Sequence, residues 1–139
     1  KNVKFPRRVG LMSYDMFEGC VNLTEVMLPE NLSEIYSSMF SGCKNLKNVD
    51  IPASVTKVGN SAFSDSGITS LDLSNVKEFE GFCFSGCKAL KTVKLNSSLK
   101  ENFLMETYQE FTECPLLEVK YINNEYVFPE GFIFVDGSK

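Results

Sequence analysis

Phe40-Ser41-Gly42-Cys43 is one copy of a short phrase that recurs along the chain. Two further copies, Phe17-Glu18-Gly19-Cys20 and Phe84-Ser85-Gly86-Cys87, are nearly identical, and weaker copies begin at Phe63 and Phe111. The five phenylalanines are separated by 23, 23, 21 and 27 residues. A period in this range indicates a chain built from stacked repeats, in which each unit contacts its neighbours.

A second phrase places two apolar residues at alternate positions in each unit. Its copies are Leu23-x-x-Val26-x-Leu28-Pro29, Leu46-x-x-Val49-x-Ile51-Pro52, Ile68-x-x-Leu71-x-Leu73, Leu90-x-x-Val93-x-Leu95 and Leu116-x-x-Val119-x-Tyr121. Alternation with a period of two puts both side chains on one face of a short strand. One such unit cannot bury its apolar side alone, so the units should stack at roughly 4.8 Å and join their strands into a parallel ladder.

Two further apolar columns lie between these phrases. The first contains Val9, Leu32, Val55, Val76 and Leu99, and the second contains Met12, Ile35, Val58 and Phe79. Each member of the second column follows its partner by three residues. These columns should complete a continuous core that runs through all the stacked units.

The composition argues against several functional classes. The chain has 14 Lys and Arg against 18 Asp and Glu, a net charge of -4, with no basic cluster of the kind that nucleic acid binding needs. Histidine is absent, which removes the commonest catalytic base and metal ligand. The five cysteines include no Cys-x-x-Cys pair, and no apolar stretch approaches the length of a membrane span. We therefore predict no enzyme activity, no cofactor, no metal site and no membrane insertion.

The two phrases resemble the BspA-type leucine-rich repeat, whose pattern reads roughly L-x-x-V-x-L-P-x-x-L/V-x-x-I-x-x-x-A-F-x-G-C. The resemblance covers about residues 3 to 121. It is specific, because the F-x-G-C phrase is absent from the ribonuclease-inhibitor type of repeat. It implies a leucine-rich-repeat solenoid, a right-handed β/α superhelix with a parallel strand ladder on the concave face, short irregular or helical convex segments and a C-terminal hairpin cap.

The ends of the array depart from the regular pattern. The chain starts inside a repeat at Val3, so we expect residues 1–116 to form about five turns of an N-terminally truncated array with more repeats upstream. Apolar residues over 99–111 have helical spacing and predict a short helix that plugs the solenoid or binds a partner. Residues 121–128 predict a hairpin turned at two asparagines, and 132–135 predict an apolar strand. We predict that residues 117–139 cap the array, since an uncovered solenoid end exposes an open edge.

The cysteines recur in register with the repeat. Four of them share one column, namely Cys20, Cys43, Cys87 and Cys114, and Cys83 takes the place of small apolar residues in other units. The simplest interpretation is a set of buried, unreactive thiols. A disulfide between Cys20 and Cys43 is conceivable, although an untwisted stack holds neighbouring side chains slightly too far apart for a relaxed bridge. Thiol catalysis would lack a histidine base.

The residues that alternate outward along the strands line the predicted concave face, where solenoids usually bind their partners. The candidate protein-binding residues are Glu25, Met27, Asn48, Asp50, Ser70, Asp72, Thr92 and Lys94. The same two columns continue at Asn2, Lys4, Glu118 and Lys120.

Two acidic members of this face raise a question of charge. Asp50 and Asp72 should be strand neighbours, an unfavourable pair that Lys47, Lys91 or Lys94 can compensate. The pair can be solvated charge, part of a recognition surface, or a weak calcium site that would need more oxygen ligands.

The resemblance also implies a function. Family members are mostly surface or secreted proteins of host-associated bacteria and some protists, whose repeats bind host or matrix proteins. We therefore expect an extracellular or cell-surface, adhesin-like module that recognises a protein through its concave face. The alternative is a structural spacer or self-assembly stalk without a ligand, which a face with few aromatic anchors favours. Clustered Tyr, Arg or Met on the face would support binding.

Overall fold

A computed structural model describes residues 2–4, 15–99 and 113–136 of the chain. The strands in these ranges are β1 Asn2–Lys4, β2 Glu25–Met27, β3 Glu34–Ile35, β4 Lys57–Val58, β5 Ser70–Leu73, β6 Glu78–Phe79, β7 Thr92–Asn96, β8 Lys120–Ile122, β9 Glu125–Val127 and β10 Phe132–Val135. Two 3-10 turns cover Ser97–Leu99 and Pro115–Leu117, and the same ranges contain no α-helix.

The strands of the V-x-L phrase form a parallel ladder between successive units. β1 pairs with β2, and β5 pairs with β7, both in parallel. A parallel bridge between Met27 and Asp50, and a 2.9 Å hydrogen bond from Thr69 N to Lys47 O, carry the ladder through the intervening unit. Four inward residues of this ladder are buried, namely Val26, Val49, Leu71 and Val93. The predicted ladder is therefore confirmed.

A second parallel ladder runs through the second of the two apolar columns, the one that contains Ile35, Val58 and Phe79. β3 pairs with β4 and β4 with β6, so that Ile35, Val58 and Phe79 stand in register. Ile35 and Val58 are fully buried, and Phe79 is half-buried against the core. The sequence predicted the apolar column but described the connecting segments as irregular or helical, which is wrong for these residues. A strand of two residues is too short to show an alternating pattern in the sequence. Pairing with the neighbouring turns keeps these residues extended.

The Phe-x-Gly-Cys phrase forms a tight turn that repeats from unit to unit. The rings of Phe17, Phe40, Phe63 and Phe84 stack in sequence at centroid distances of 5.5, 5.3 and 5.7 Å. Backbone hydrogen bonds also join neighbouring units at this turn, as in the 2.8 Å bond from Phe63 N to Cys83 O. Stacked rings and backbone hydrogen bonds therefore hold successive units together at this turn.

The glycine of the phrase has a conformational reason. Gly19, Gly42 and Gly86 have φ values of 70, 75 and 78°, in the left-handed region that glycine enters without a steric penalty. Asp65 and Glu113 occupy the same column with φ values of 57 and 60°. The turn thus keeps its shape in the two weaker copies of the phrase, at some cost in backbone strain.

The fifth long strand is β10, and the prediction of a strand at 119–121 in the parallel ladder is wrong. β10 pairs in parallel with β7, with Phe132 opposite Val93 and Phe134 opposite Leu95. β8 instead pairs antiparallel with β9, as the predicted hairpin at two asparagines requires. Asn123 and Asn124 have φ values of 54 and 66°, which suits a two-residue hairpin turn. Local pairing therefore removes residues 120–127 from the ladder.

The register of the last repeat also differs from the prediction. The V-x-L phrase predicts Leu116 in the apolar column, but Leu116 is 53% exposed and Leu117 is fully buried. Leu117 stands three residues after Cys114, the same spacing that joins Cys43 to Leu46. The count from the cysteine gives the buried position, whereas the count from the V-x-L phrase does not.

Several expectations remain predictions. The helix expected at 99–111 lies outside the described residues, apart from Leu99, which ends a 3-10 turn. The right-handed superhelix, the domain boundary at 116/117 and the capping role of residues 117–139 also remain predictions. The hairpin itself is present as β8 and β9.

Candidate functional site

The eight candidate residues project from successive units of the V-x-L ladder onto one surface, here called the ladder face. They are Glu25 and Met27 of β2, Asn48 and Asp50 of the following unit, Ser70 and Asp72 of β5, and Thr92 and Lys94 of β7. All are exposed except Thr92, which is half-buried. Their inward neighbours are buried, because alternation along a strand sends successive side chains to opposite sides.

Strand register determines which of these residues are neighbours. Met27 is bridged to Asp50, and Asp72 is paired with Lys94. A depression of about 270 Å³ is lined by residues of two units, including Asp50 and Asp72. The two carboxylates predicted to be neighbours therefore share one small concavity of the ladder face.

Asp72 is held by local hydrogen bonds. The hydroxyl of Ser74 donates to Asp72 Oδ1, and Ser74 N donates to the same oxygen at 3.1 Å. The hydrogen bond from the Ser74 side chain, assisted by the backbone bond and by the charge of Lys94, holds the pKa of Asp72 below its usual 3.8. Of the three lysines considered as compensating charges, Lys94 is the strand neighbour that acts on this carboxylate.

Beyond β7 the ladder face differs from the prediction. Glu118 and Lys120 do not continue its two columns, because the neighbour of β7 is β10. Ile133 of β10 lies opposite Lys94 and is 37% exposed, so it takes the position that Lys120 was expected to hold. The alternation in Phe132-Ile133-Phe134 is the same signal that identified the other strands, and it could have marked Ile133 as a member of the face.

No group of three or more His, Cys, Asp or Glu residues within the described ranges is arranged to hold a metal ion. The pair formed by Asp50 and Asp72 supplies fewer oxygen ligands than the six to eight that calcium takes. What this pair does provide is a local negative charge, flanked on β7 by Lys94. Such an arrangement can orient a charged partner.

The cysteines of the repeat link neighbouring turns through their thiols. Cys43 Sγ donates to Phe17 O at 3.1 Å, and Cys87 Sγ donates to Phe63 O at 2.9 Å. Cys114 Sγ donates to Phe84 O at 2.9 Å. All five cysteines are free, so the conceivable bridge between Cys20 and Cys43 is not formed.

Two of these thiols, Cys43 and Cys114, have the chemistry of core residues. Burial raises the pKa of Cys43 to about 11, well above the ordinary value of 9.0. The hydrogen bond to Cys87 and burial likewise raise the pKa of Cys114. Because the thiolate is the reactive form, both cysteines are poor nucleophiles at neutral pH. The interpretation of these two as structural thiols agrees with their burial and with their bonds to the preceding turn.

The described residues include no helix that is long and apolar enough to span a membrane. A comparison with curated proteins found no match. Solved structures of two bacterial proteins are similar. A leucine-rich repeat protein from Bacteroides ovatus ATCC 8483 is 26% identical with a TM-score of 0.64, over 66% of this chain and 24% of that one. A leucine rich cell surface protein from Faecalibacterium prausnitzii A2-165 is 22% identical with a TM-score of 0.52, over 81% of this chain and 31% of that one.

These neighbours share the leucine-rich-repeat fold with the chain, and the chain spans about a quarter to a third of their length. Leucine-rich repeats are in general modules of protein interaction or structure and not enzymes. The structural features seen in the described residues are the parallel ladders, the Phe stack and the left-handed glycine turn. The model of the BspA type leucine rich repeat region matches six copies over residues 1–132, and the chain belongs to that family.

Proposed function

We propose that this chain is a cell-surface or secreted, adhesin-like module that recognises a host or matrix protein through its ladder face. The observation that supports the proposal best is the alternation along the long strands. Their inward side chains are apolar and, at Val26, Leu71 and Val93, buried, whereas the outward ones differ in charge and size from turn to turn. A surface with such varied groups on a rigid ladder can be complementary to one partner and not to another.

The polarity of the ladder face indicates which partner surface would fit. Asp50 and Asp72 form its negative centre, and Met27 beside Asp50 is 52% exposed. A partner with a basic residue next to an apolar one would complement this centre. Methionine suits such a contact, because its flexible thioether adapts to irregular surfaces.

A surface location has separate support. The neighbour from Faecalibacterium prausnitzii is a leucine rich cell surface protein, although the likeness to it concerns the fold alone. Family membership points the same way. An extracellular binding partner follows from that location.

A structural spacer is the second candidate, and the composition of the ladder face favours it. The described part of this face carries Met27 but no tyrosine or arginine. Binding hot spots are enriched in Trp, Tyr and Arg. The face therefore lacks the cluster of anchor residues that would have distinguished a binding surface from a spacer.

Charge reversal at the negative centre tests the proposal. The purified chain is applied to a panel of immobilised matrix and host-surface proteins, together with an Asp50→Lys/Asp72→Lys variant. The matched control is Glu18→Lys/Glu78→Lys, which changes two exposed carboxylates away from the ladder face. Each double variant shifts the net charge by the same amount, from -4 to 0.

Saturable binding that is lost in the first variant and kept in the control is the expected result. Equal binding by both variants would place the contact elsewhere on the molecule. Failure of the unmodified chain to bind any member of the panel would favour the spacer.

A further inference from the structure

A second depression lies beside the ladder face, where the chain runs from the Phe-x-Gly-Cys turn into the long strand. Its volume is about 490 Å³. Its walls come from alternate units, with Lys44 and Lys47 from one side and Lys88 from the other. All three lysines are exposed. We call this depression the lysine groove.

A deletion in the intervening unit creates the groove. Two residues separate Cys43 from Leu46, whereas only Gly67 separates Ser66 from Ile68 in the next unit. Gly67 N donates to Cys43 O at 3.1 Å. The shortened turn is therefore drawn against its neighbour, and position 67 places no side chain between the lysines.

Close packing fixes the floor of the groove. A Cβ atom at Gly67 would lie 2.1 Å from Lys44 O, so no other residue fits there without moving the backbone. Gly67 itself is buried. The backbone at Gly67 therefore forms the floor of the space between Lys44 and Lys88.

The groove is positively charged in a chain that is negative as a whole. The lining has three ammonium groups and one carboxylate, that of Asp65. Within the described ranges, none of the three lysines forms an ion pair with a carboxylate. Three like charges near a single carboxylate are only partly compensated and repel each other, so an anionic ligand would relieve this repulsion.

The chemistry of the lining narrows the kind of anion. Glycine, serine and alanine fill the space between the charged groups, and the lining contains no aromatic ring on which a base could stack. It contains no arginine for bidentate recognition of phosphate. Lysine ammonium groups act as point charges that accept a carboxylate in many orientations.

We propose that the lysine groove binds an acidic peptide segment in polyproline II conformation. Lys44 and Lys88 belong to units two turns apart, which corresponds to roughly 10 Å at the usual strand spacing. Carboxylates three residues apart in a polyproline II chain lie on the same side of the chain with about the same separation, at three residues per turn and roughly 3.1 Å per residue. The segment therefore carries two acidic residues with two small residues between them. The site is distinct from the ladder face and goes beyond the function proposed for it.

The test is a titration followed by ¹⁵N-NMR on the whole chain, with the peptide Gly-Glu-Ser-Ser-Glu-Gly and its Gln counterpart as probes. We expect the Glu peptide to shift the amide signals of Gly67, Gly86 and Ala89, and more weakly at high salt, because exposed ion pairs are screened. Lys44→Glu/Lys88→Glu should weaken the binding roughly tenfold or more, since two attractive pairs become repulsive. The matched control is Lys77→Glu/Lys120→Glu, which makes the same change of charge at two exposed lysines outside the groove.

Several outcomes would overturn the proposal. They are equal shifts with the Gln peptide, equal weakening in the control variant, and shifts from a sulfated polysaccharide with none from the peptide. Circular dichroism of both variants verifies that they are folded, as expected for substitutions of lysines that do not belong to the core. The ladder-face variant Asp50→Lys/Asp72→Lys should still bind the peptide, which separates this site from the proposed function.

Discussion

The Phe column and the ladder face are built from the same repeats but follow opposite rules. Along the column, phenylalanine follows phenylalanine at 5.3 to 5.7 Å. Along the ladder face, successive turns carry unlike residues, as Met27, Asp50 and Asp72 illustrate. A buried position must match its neighbours in volume above and below, whereas an exposed one meets water and can vary. The repeated residues therefore specify the fold, whereas the exposed ones can vary without changing it.

The largest effect is expected from the column. Phe63 is fully buried between two stacked rings, so Phe63→Ala should lower the free energy of unfolding by about 3–5 kcal/mol. Urea denaturation followed by circular dichroism measures this loss.

Phe82 provides the matched control. Its side chain is 48% exposed, and we expect Phe82→Ala to change the free energy of unfolding by about 0.5 kcal/mol or less. Equal losses for the two alanine variants would mean that the column is not the element that holds adjacent units together.

The end of the array offers the next largest contrast, between two adjacent leucines. Leu117 is fully buried, so Leu117→Ala should destabilise the chain by about 2–5 kcal/mol. Leu116 is 53% exposed, and Leu116→Ala should change stability by about 0.5 kcal/mol or less. Thermal unfolding of the two variants compares them directly. The reverse order would restore the register that the V-x-L phrase predicts.

The smallest effect belongs to the ladder face. Asp72→Asn weakens the hydrogen bonds from Ser74 and removes the attraction to Lys94, and at pH 7 it should cost about 1 kcal/mol or less because the carboxylate is largely solvated. The pKa of Asp72 is lower in the folded chain than in the unfolded one, so its contribution is present above about pH 3.8 and is lost as the pH falls through the lowered pKa.

The pH dependence of the difference between the original chain and Asp72→Asn distinguishes this explanation from a general loss of packing. Unfolding midpoints measured from pH 7 down to pH 2 should converge. The convergence should be smaller in a Ser74→Ala background, where the largest cause of the lowered pKa is absent. A difference that stays constant over this range would contradict the assignment.

The parts predicted from sequence are those with long periodicity. The ladder of Val26, Val49, Leu71 and Val93 and the eight outward residues between them followed from alternation repeated at a regular interval. The parts that were missed, such as the strands of two residues at β3, β4 and β6, have too few residues to show a period. The exchange of 119–121 for β10 was missed because both segments alternate, and only the hairpin turn chooses between them.

The amino-acid sequence by itself determined that turns stack and which residues of the regular repeats face the core. These properties follow from spacing, which is carried by every repeat. Tertiary structure alone decided that β10 pairs with β7 and that a single deletion beside Gly67 opens a groove between lysines of alternate turns. The physical reason is that every repeat makes the same stacking contacts, so these contacts appear as a period in the sequence. A strand exchange or a gap occurs once and depends on how closely one irregular turn packs against its neighbour.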